Sequence, residues 1–464
     1  MQRIITIAAL TWKAAFRFRL FIVVAVLLLA AVIGLPLVLK DDGTARGFTQ
    51  ILLTYTLSSI TVLLGFSTLW LSCGTLARDI EECQMQMVVT KPIARWQVWL
   101  GKWLGIMSLN AALLLLSGTS VYVLMQVRAA KLSPDQQHVL KNEIFVARGS
   151  AKERSYEAEI DAATDAALKD QIKKNPEVKA NLDEVTTSIR EQVKAMIQIV
   201  PVGYVREWHI DLGSFAKTLL HDQPLYLRVK FNAAQPSASG TYYGMWQVGE
   251  QDGKNPVWAS DAMSLSPDDY HEFEIPPNLF NDKGILTISF RNINGVALLF
   301  PLEDGMEVLY REGGFGLNFA RALGIIFCWM SLLAAVGLAA ASLLSFPVAA
   351  FVSLGLLVVV LASGTLASVV SEGRYFAYNA EKGPTSGPTL LDRTIVQSFR
   401  GILVLVDMVK DFSPVDSLSR GRSITWTELG RAFAQIVLLM GGIVSTIGIF
   451  IFSRRELATA QGTQ

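Results

Sequence analysis

Residues 20–39 read LFIVVAVLLLAAVIGLPLVL, a run of twenty positions without a charged side chain. A helix needs about 20 predominantly apolar residues to cross the hydrocarbon core of a bilayer. The run is too long for the core of a secretory signal peptide, and no small-residue cleavage site follows it. It therefore predicts a membrane-spanning helix that stays in the protein.

Five further runs of this kind lie at roughly residues 49–72, 99–126, 317–343, 347–371 and 433–453. Buried helices of a large soluble protein would account for one or two such runs, but not for six. Charged residues make up only 17% of the chain, whereas about 25% is usual in a soluble protein. We therefore expect an α-helical membrane protein with six transmembrane helices: three within 20–126, two within 317–371, and one in 433–464 followed by a tail.

Basic residues near the span ends predict the orientation, because Lys and Arg accumulate on the cytoplasmic side. They stand before the first span and directly after the last, so we expect both termini in the cytoplasm, as an even number of spans requires. The loop 73–98 is then cytoplasmic, and the segments 127–316 and 372–432 are extracytoplasmic. The residues concerned are Arg3, Lys13, Arg17, Arg19, Arg454 and Arg455.

Two amphipathic segments are too charged to span a bilayer. Residues 1–19 alternate apolar and basic positions, which favours an interfacial helix; a short basic flank without fixed structure fits equally well. In the loop 372–432, apolar residues from Leu391 to Val409 fall on one helical face and predict a second interfacial helix.

The segment 127–316 predicts an α+β extracytoplasmic domain. Residues 127–201 read as helical: Ser133–Gln136 forms a capping-box start, and apolar residues from Val178 to Val200 recur at three- and four-residue steps. The charged stretch Lys152–Lys174 fits either a solvated helical arm or partial disorder. In 202–316 the apolar period changes to two, as in Leu225–Phe231, which predicts half-buried strands of a jelly-roll-like β-sandwich.

No catalytic constellation stands out in the sequence. The span centres carry almost no ionisable residues, and Lys102 and Arg321 near span ends are expected to snorkel toward the interface. The nearest string to a phosphate-binding loop, Gly249–Asn255, is one residue short and ends in Asn. Asp268–Glu272 reads as a solvated turn rather than a cation site. We therefore expect no enzyme, cofactor or metal in this chain and no nucleic-acid partner.

The loop after the second span is the most informative segment. Arg78–Glu82 places acidic residues directly after the span, and an apolar stretch and a proline follow before Arg95. This pattern predicts a short transverse helix on the cytoplasmic face that seats in a soluble partner and transmits its motion. Gly101 and Gly105 form a small-xxx-small pair, which lets the next span pack closely.

This loop resembles the one between the second and third spans of ABC-2 type permeases, the transmembrane subunits of type V exporter-like ABC transporters. That family has acidic residues after span two, a (S/T)-K-P-(I/V)-x-R element, and Gly-Lys at the start of span three. Thr90–Arg95 and Gly101-Lys102 match these elements position by position. At Cys83–Gln86 the chain departs from the Gly-Thr pair of many members. The resemblance covers the membrane half of the chain.

The resemblance implies that the loop is a coupling helix. It implies ABC ATPase subunits, which hold ATP and Mg, as partners, and a second permease chain in a homodimer or heterodimer. The expected function is ATP-driven export or extrusion in a bacterial inner (cytoplasmic) membrane, with a periplasmic or cell-wall partner possible for the extracytoplasmic domain. The residues to which the resemblance assigns the coupling role are Glu81, Glu82, Lys91, Pro92, Ile93 and Arg95.

A second interpretation stays open on the sequence. The spans could hold a non-transporting anchor or sensor that presents an extracytoplasmic binding domain. The mostly apolar spans favour it slightly, because no polar substrate path is visible in them. Lipid-like or large amphipathic substrates, however, need no charged path either.

Overall fold

The computed structural model describes residues 2–17, 19–38, 45–85, 93–140, 145–175, 182–213, 220–237, 239–250, 257–363, 370, 390–410 and 412–455. The chain divides into two compact units. A helical unit comprises residues 1–147 and 314–464, and a β unit comprises residues 148–313. The second unit is therefore an insertion into the chain of the first.

The helical unit is built almost entirely of helices. Their bounds are α1 Gln2–Arg17, α2 Leu20–Val38, α3 Ala45–Glu81, α4 Arg95–Ala129, α5 Pro134–Val139, α8 Phe315–Leu343, α9 Phe346–Leu361, α10 Leu390–Lys410, α11 Pro414–Ser419, α12 Trp426–Ala432 and α13 Gly442–Arg454, with a π-helical turn at Phe433–Gly441 that joins the last two. Helices α6 and α7 belong to the β unit.

Within the described residues, four helices are long and apolar enough to cross a membrane: Thr49–Glu81, Arg95–Ala129, Phe315–Leu343 and Trp426–Arg454. A fifth candidate is the bent pair Gln2–Arg17 and Phe21–Leu35. This set marks the chain as a membrane protein. The predicted first span is α2, and the predicted fifth span, 347–371, contains α9, whose 16 residues are fewer than a bilayer crossing takes. Among the described residues the count is therefore four to five rather than the six predicted, and residues 364–369 and 371 of the predicted fifth span lie outside them.

The bend before α2 has a local cause. Arg19 adopts φ of 57°, in the left-handed region, and this interrupts the helical backbone. The two helices meet at 68°. The prediction of a helix in 1–19 is therefore confirmed over Gln2–Arg17, and its direction differs strongly from that of the helix that follows.

The helical core is centred on α3 and α8, which pack closely through small residues. A methyl group at Gly337 of α8 would lie 1.9 Å from Ser72 Oγ of α3, so only glycine permits this approach. The predicted pair Gly101 and Gly105 also marks a close contact. Its partner is α1 rather than another span, since a Cβ at Gly101 would lie 2.7 Å from the Cβ of Ile7.

The β unit contains two helices and twelve strands. Their bounds are β1 Val146–Lys152, α6 Glu157–Lys174, α7 Leu182–Gln198, β2 Ile199–Val200, β3 Val205–Asp211, β4 Leu225–Val229, β5 Asn232–Ala233, β6 Tyr242–Val248, β7 Trp258–Ala259, β8 Met263–Leu265, β9 His271–Ile275, β10 Ile285–Arg291, β11 Leu298–Leu299 and β12 Met306–Gly314, as far as the described residues show. The charged stretch Lys152–Lys174 is thus largely the helix α6.

Two sheets enclose one hydrophobic core. One has the strand order β1-β12-β4-β9, the other β3-β10-β6-β7 with β8 on β6, and a small third sheet is β2-β11-β5. Inward-facing residues on the second sheet are in register, for example Ile288 opposite Trp208 and Val248. The rings of Trp246 and Phe290 pack in this core in a tilted arrangement, with centroids 4.6 Å apart. The prediction of antiparallel β-structure in 202–316 is confirmed.

Two details of the predicted domain need correction. The segment 127–201, predicted as helical, also contains the strands β1 and β2, and α4 continues to Ala129. The neighbour of β1 in its sheet is β12, which lies about 150 residues later in the chain. A local sequence pattern therefore cannot predict this pairing. The strand Leu225–Val229 is buried at every position rather than half-buried.

Candidate functional site

The predicted coupling residues lie around the loop that joins α3 to α4, residues 82–94, called the connecting loop here. Helix α3 ends at Glu81, and Cys83 follows in a turn with φ of 59°. Ile93 is half-buried against the helical core. Lys91 and Pro92, and with them the predicted transverse helix, fall outside the described residues.

Glu81 binds the start of another helix. Its Oε1 accepts a hydrogen bond of 2.8 Å from the backbone N–H of Phe346, the first residue of α9. The N-cap residue Ser345 makes no side-chain cap of its own. The first N–H groups of a helix lack intrahelical partners and carry the positive end of its dipole, so a carboxylate is favourable there. Glu81 therefore caps α9 from a distant part of the chain.

The side chain of Phe346 strengthens the same junction. The Arg78 guanidinium lies over its ring at 4.4 Å from the centroid. Trp70 meets the ring edge-on at 5.2 Å between centroids. A Cβ at Gly74 would be at ordinary contact distance, 3.4 Å, from the ring. The start of α9 is thus fixed on the last turns of α3 by cation–π, aromatic and hydrogen-bonding contacts.

Arg95, at the other end of the connecting loop, binds the end of the last helix. Its Nη1 donates to the carbonyl oxygens of Phe452 at 3.1 Å, Ser453 at 2.9 Å and Arg455 at 2.8 Å. The last carbonyls of a helix have no intrahelical donor and carry the negative end of the dipole. A guanidinium at this point both satisfies them and stabilises the C-terminus of α13.

Arg455 extends this arrangement to a further helix. Its Nη1 donates to the carbonyl oxygens of Ala341 at 3.3 Å and Ser342 at 3.0 Å, in the last turn of α8. Arg455 was used in the sequence only as a sign of orientation, so this role was missed. The only available signal was its position directly after the last apolar run.

Lys102 behaves differently from its prediction. Its Nζ forms an ion pair with Asp79 Oδ2 at 2.5 Å and donates to the Thr75 carbonyl at 2.7 Å. The Lys102 side chain is only 8% exposed. It does not snorkel, because the carboxylate of Asp79 on the neighbouring helix α3 lies within reach and offsets the cost of burying the charge. This pair fastens α4 to the end of α3, directly beside the Glu81 contact.

Arg321, the other predicted snorkelling residue, is also held by protein groups. Its Nη1 donates to the Ile424 carbonyl, and its guanidinium lies over the Trp426 ring at 5.0 Å. Nearby, Asn318 is buried and binds the same segment twice, donating to the Arg422 carbonyl and accepting from the Ile424 N–H, both at 2.7 Å. These contacts fix the chain ahead of α12.

Glu82 is the weakest of the described candidates. It is exposed, and its Oε2 accepts a hydrogen bond of 2.6 Å from the neighbouring Gln84. The structure therefore brings Glu81, Ile93 and Arg95 into contact with the helical core, whereas Glu82 faces away from it. The connecting loop is attached at both ends to the ends of other long helices, and a displacement of the loop would act on α9 and α13 directly.

The β unit holds a second cluster of charges, buried on its first sheet. Arg228 pairs with Glu272 at 3.0 Å and with Glu307 at 3.6 Å, and Arg148 binds Glu272 as well. All four side chains are at most 7% exposed. Burial lowers the pKa of the Arg228 guanidinium below its ordinary value, and the two glutamates oppose this effect. Two positive and two negative charges balance, so the cluster is structural.

Among the residues that the structure describes, no three His, Cys, Asp or Glu side chains lie close enough together to hold a metal ion. No protein-family model matches the chain, and neither a curated protein nor a solved structure matches it.

Proposed function

We propose that the chain is the permease subunit of an ABC-2 type ABC transporter. Its connecting loop binds separate ATPase subunits in the cytoplasm, and these subunits drive it. The observation that carries the proposal is the attachment of this loop to three other helices. Glu81 caps the start of α9, and Arg95 caps the end of α13. Arg455, whose carbonyl accepts from Arg95, donates in turn to the end of α8. A loop that only joined two spans would not need these links.

In this proposal, six helices span a bacterial inner membrane and both termini are cytoplasmic. Helix α2 is the first span, and α9 belongs to a fifth span that extends beyond Leu361. The basic residues before α2 and after α13 support this orientation. Two such chains pair, and ATP and Mg are held by the partner ATPases.

We assign the β unit to the jelly-roll class. The strand order supports this: the first long strand lies beside the last in β1-β12-β4-β9, and the second lies beside the next-to-last in β3-β10-β6-β7. The unit lies outside the cytoplasm, where it receives the substrate or binds a periplasmic or cell-wall partner.

Coupling works through helix ends. When the ATPases close on ATP, they shift the connecting loop with Ile93 on its inner side. The shift reaches α9 through the Glu81 carboxylate and reaches α13 and α8 through the two guanidinium groups. The Lys102–Asp79 pair keeps α3 and α4 together during the movement, so that the pair moves as one body.

The test is purification of the full-length chain from its own membranes, followed by identification of bound proteins. We expect an ATPase with a phosphate-binding loop to co-purify, and we expect its ATP hydrolysis to depend on Arg95. The variants Glu81→Lys and Arg95→Glu should reduce coupled activity without dissociating the helices. Absence of an ATPase, together with full function of both variants, would refute the proposal.

The alternative of a membrane anchor or sensor rests on a different observation. The inserted β unit is compact by itself, with its own hydrophobic core, as a ligand-binding module would be. It predicts that the full-length protein binds an extracytoplasmic ligand with an affinity that no nucleotide alters. Nucleotide-dependent binding to reconstituted protein with its ATPase would favour the permease instead.

A further inference from the structure

A groove of about 860 Å³ runs along the exposed side of α1, next to α4. Its apolar wall includes Ile5, Ala9, Trp12 and Phe16. Ile5 is 64% exposed and Phe16 is 42% exposed, so these side chains have no protein cover among the described residues.

The wall of the groove is held in place by specific contacts. Trp12 Nε1 donates to Ser108 Oγ of α4 at 2.6 Å, and Trp12 stacks on Phe16 with 5.7 Å between ring centroids. The opposite side of α1 is fixed on α4, where a Cβ at Gly105 would lie 2.6 Å from the Thr11 Cβ. The groove is therefore formed before any ligand enters it.

The charges at the groove are all of one sign. Lys13 and Arg17, one helical turn apart, belong to its lining, and the described lining residues include no acidic side chain. Helix α1 as a whole contains Arg3, Lys13 and Arg17 and no Asp or Glu. An apolar channel that ends in two cations matches a ligand with an apolar chain and an anionic head.

We propose that this groove binds one anionic glycerophospholipid. The acyl chain lies against Ile5, Ala8 and Ala9, and Lys13 and Arg17 bind the phosphate. Trp12 lies between the two regions, as is usual for tryptophan at the level of lipid headgroups. The proposal depends on the membrane location of the chain and not on its coupling to an ATPase, so each can fail without the other.

The experiment is native mass spectrometry of the purified full-length protein. It is titrated with phosphatidylglycerol and with phosphatidylcholine that has the same acyl chains. One basic residue beside an anionic lipid strengthens binding about fivefold. We therefore expect the first phosphatidylglycerol to bind about 25-fold more tightly than phosphatidylcholine, and the variant Lys13→Gln/Arg17→Gln to lose this preference.

Two control variants distinguish a specific lipid site in the groove from a general attraction between basic residues and anionic lipids. The variant Arg3→Gln/Arg19→Gln removes the same charge from the same flank, outside the groove lining, and should keep the preference. Ala9→Trp fills the groove without changing charge and should weaken both lipids. Glycerol 3-phosphate, which has the head but no chain, should not displace the lipid.

Several results would overturn the proposal. These are no preference in the unaltered protein, an equal loss in both charge variants, displacement by glycerol 3-phosphate, or lipid binding unaffected by Ala9→Trp. A dimer that excludes lipid and dissociates in Ala9→Trp would instead identify a second copy of the chain as the occupant. Retention of the unaltered protein's elution volume shows that each variant is folded.

Discussion

The Glu81 carboxylate accepts a hydrogen bond of 2.8 Å from the backbone N–H of Phe346, although the two residues are 265 positions apart in the sequence. One is the last residue of a 37-residue helix, and the other is the first residue of α9. Their contact means that α9 cannot move at its start without moving the end of α3, which leads into the connecting loop.

Replacing Glu81 by Ala should uncouple α9 from this loop. Loss of a helix cap costs about 1 kcal/mol, so the protein should still fold, while activity that depends on the loop should fall several-fold. The matched control is Glu82→Ala, since Glu82 is exposed and binds only the adjacent Gln84 among described partners. ATP hydrolysis by the co-purified complex and the melting temperature in detergent are the measurements. If Glu81→Ala and Glu82→Ala changed ATP hydrolysis and melting temperature equally, the assignment of Glu81 as the cap of α9 would be contradicted.

Replacing Arg95 should affect the last helix. Arg95→Gln leaves the carbonyls of Phe452 and Ser453 without a charged donor, and charge-assisted hydrogen bonds contribute about 1.5–3 kcal/mol. We expect faster hydrogen exchange in the last turn of α13 and little change in α10. Arg431→Gln, at an exposed arginine of α12, serves as the control. Unchanged exchange around residues 449–455 in Arg95→Gln would show that the contact is dispensable.

The buried charge cluster of the β unit predicts strong non-additivity. Arg228→Met leaves a net negative charge in a dry environment, and breaking such a pair typically costs about 3–5 kcal/mol. The double variant Arg228→Met/Glu307→Met leaves Arg148 and Glu272 as a neutral pair and should cost less than the sum of the single variants by about 1–3 kcal/mol. Hydrogen exchange of β4 and β12 in the full-length protein measures this difference. Additive costs would mean that these charges act independently.

Stability of the β unit should decrease in acid because of two adjacent carboxylates. A hydrogen bond from Lys194 at 2.7 Å holds the pKa of Glu303 below its ordinary 4.5. Burial opposes ionisation of Asp304, but hydrogen bonds from Tyr270 at 2.6 Å and Lys230 at 3.1 Å nevertheless hold its pKa below 3.8. A carboxylate whose pKa is lower in the folded state stabilises it above the unfolded pKa, and this stabilisation is lost as pH falls through the folded pKa.

The measurement is the melting temperature of the β unit in the full-length protein between pH 6 and about pH 3. The melting temperature of the unaltered protein should exceed that of Glu303→Gln/Asp304→Asn at pH 6, and the difference should shrink as the pH falls toward the acid end. The control Asp261→Asn/Glu274→Gln changes two exposed carboxylates and should show no such trend. A difference that is constant over this range would contradict the assignment.

The helices of the membrane unit could be predicted because their signal is local. An uninterrupted apolar run fixes a helix by itself, and the runs at 49–72, 99–126 and 317–343 lie within α3, α4 and α8. At the start of α12, Thr425 is a residue type that favours the N-cap position, and its Oγ1 accepts a hydrogen bond of 3.1 Å from the Glu428 N–H. The predicted fifth span, 347–371, overlaps α9, and residues 364–369 and 371 of this run lie outside the described residues.

The contacts of the candidate site could not be predicted from the sequence. Glu81 and Arg95 were selected by resemblance, and nothing in the chain near them indicates Phe346 or Phe452 as partners. Every residue type carries a backbone carbonyl and nearly every one an N–H, so the sequence does not mark which of these groups at helix ends will bind a side chain. The same applies to Arg228, whose alternation with apolar neighbours indicated a solvated face; its partners Glu272 and Glu307 lie on strands that pair with β4 from distant segments.

Phe145 and Phe315, both in the helical unit, flank the inserted β unit in sequence, and their ring centroids are 5.3 Å apart. The chain therefore leaves the helices and returns to them at one point, although 166 residues intervene, from 148 to 313. Because the two ends of the insertion meet, residues can be added to it or removed from it without separating the helices that carry Phe145 and Phe315. The insertion is in this sense an exchangeable module.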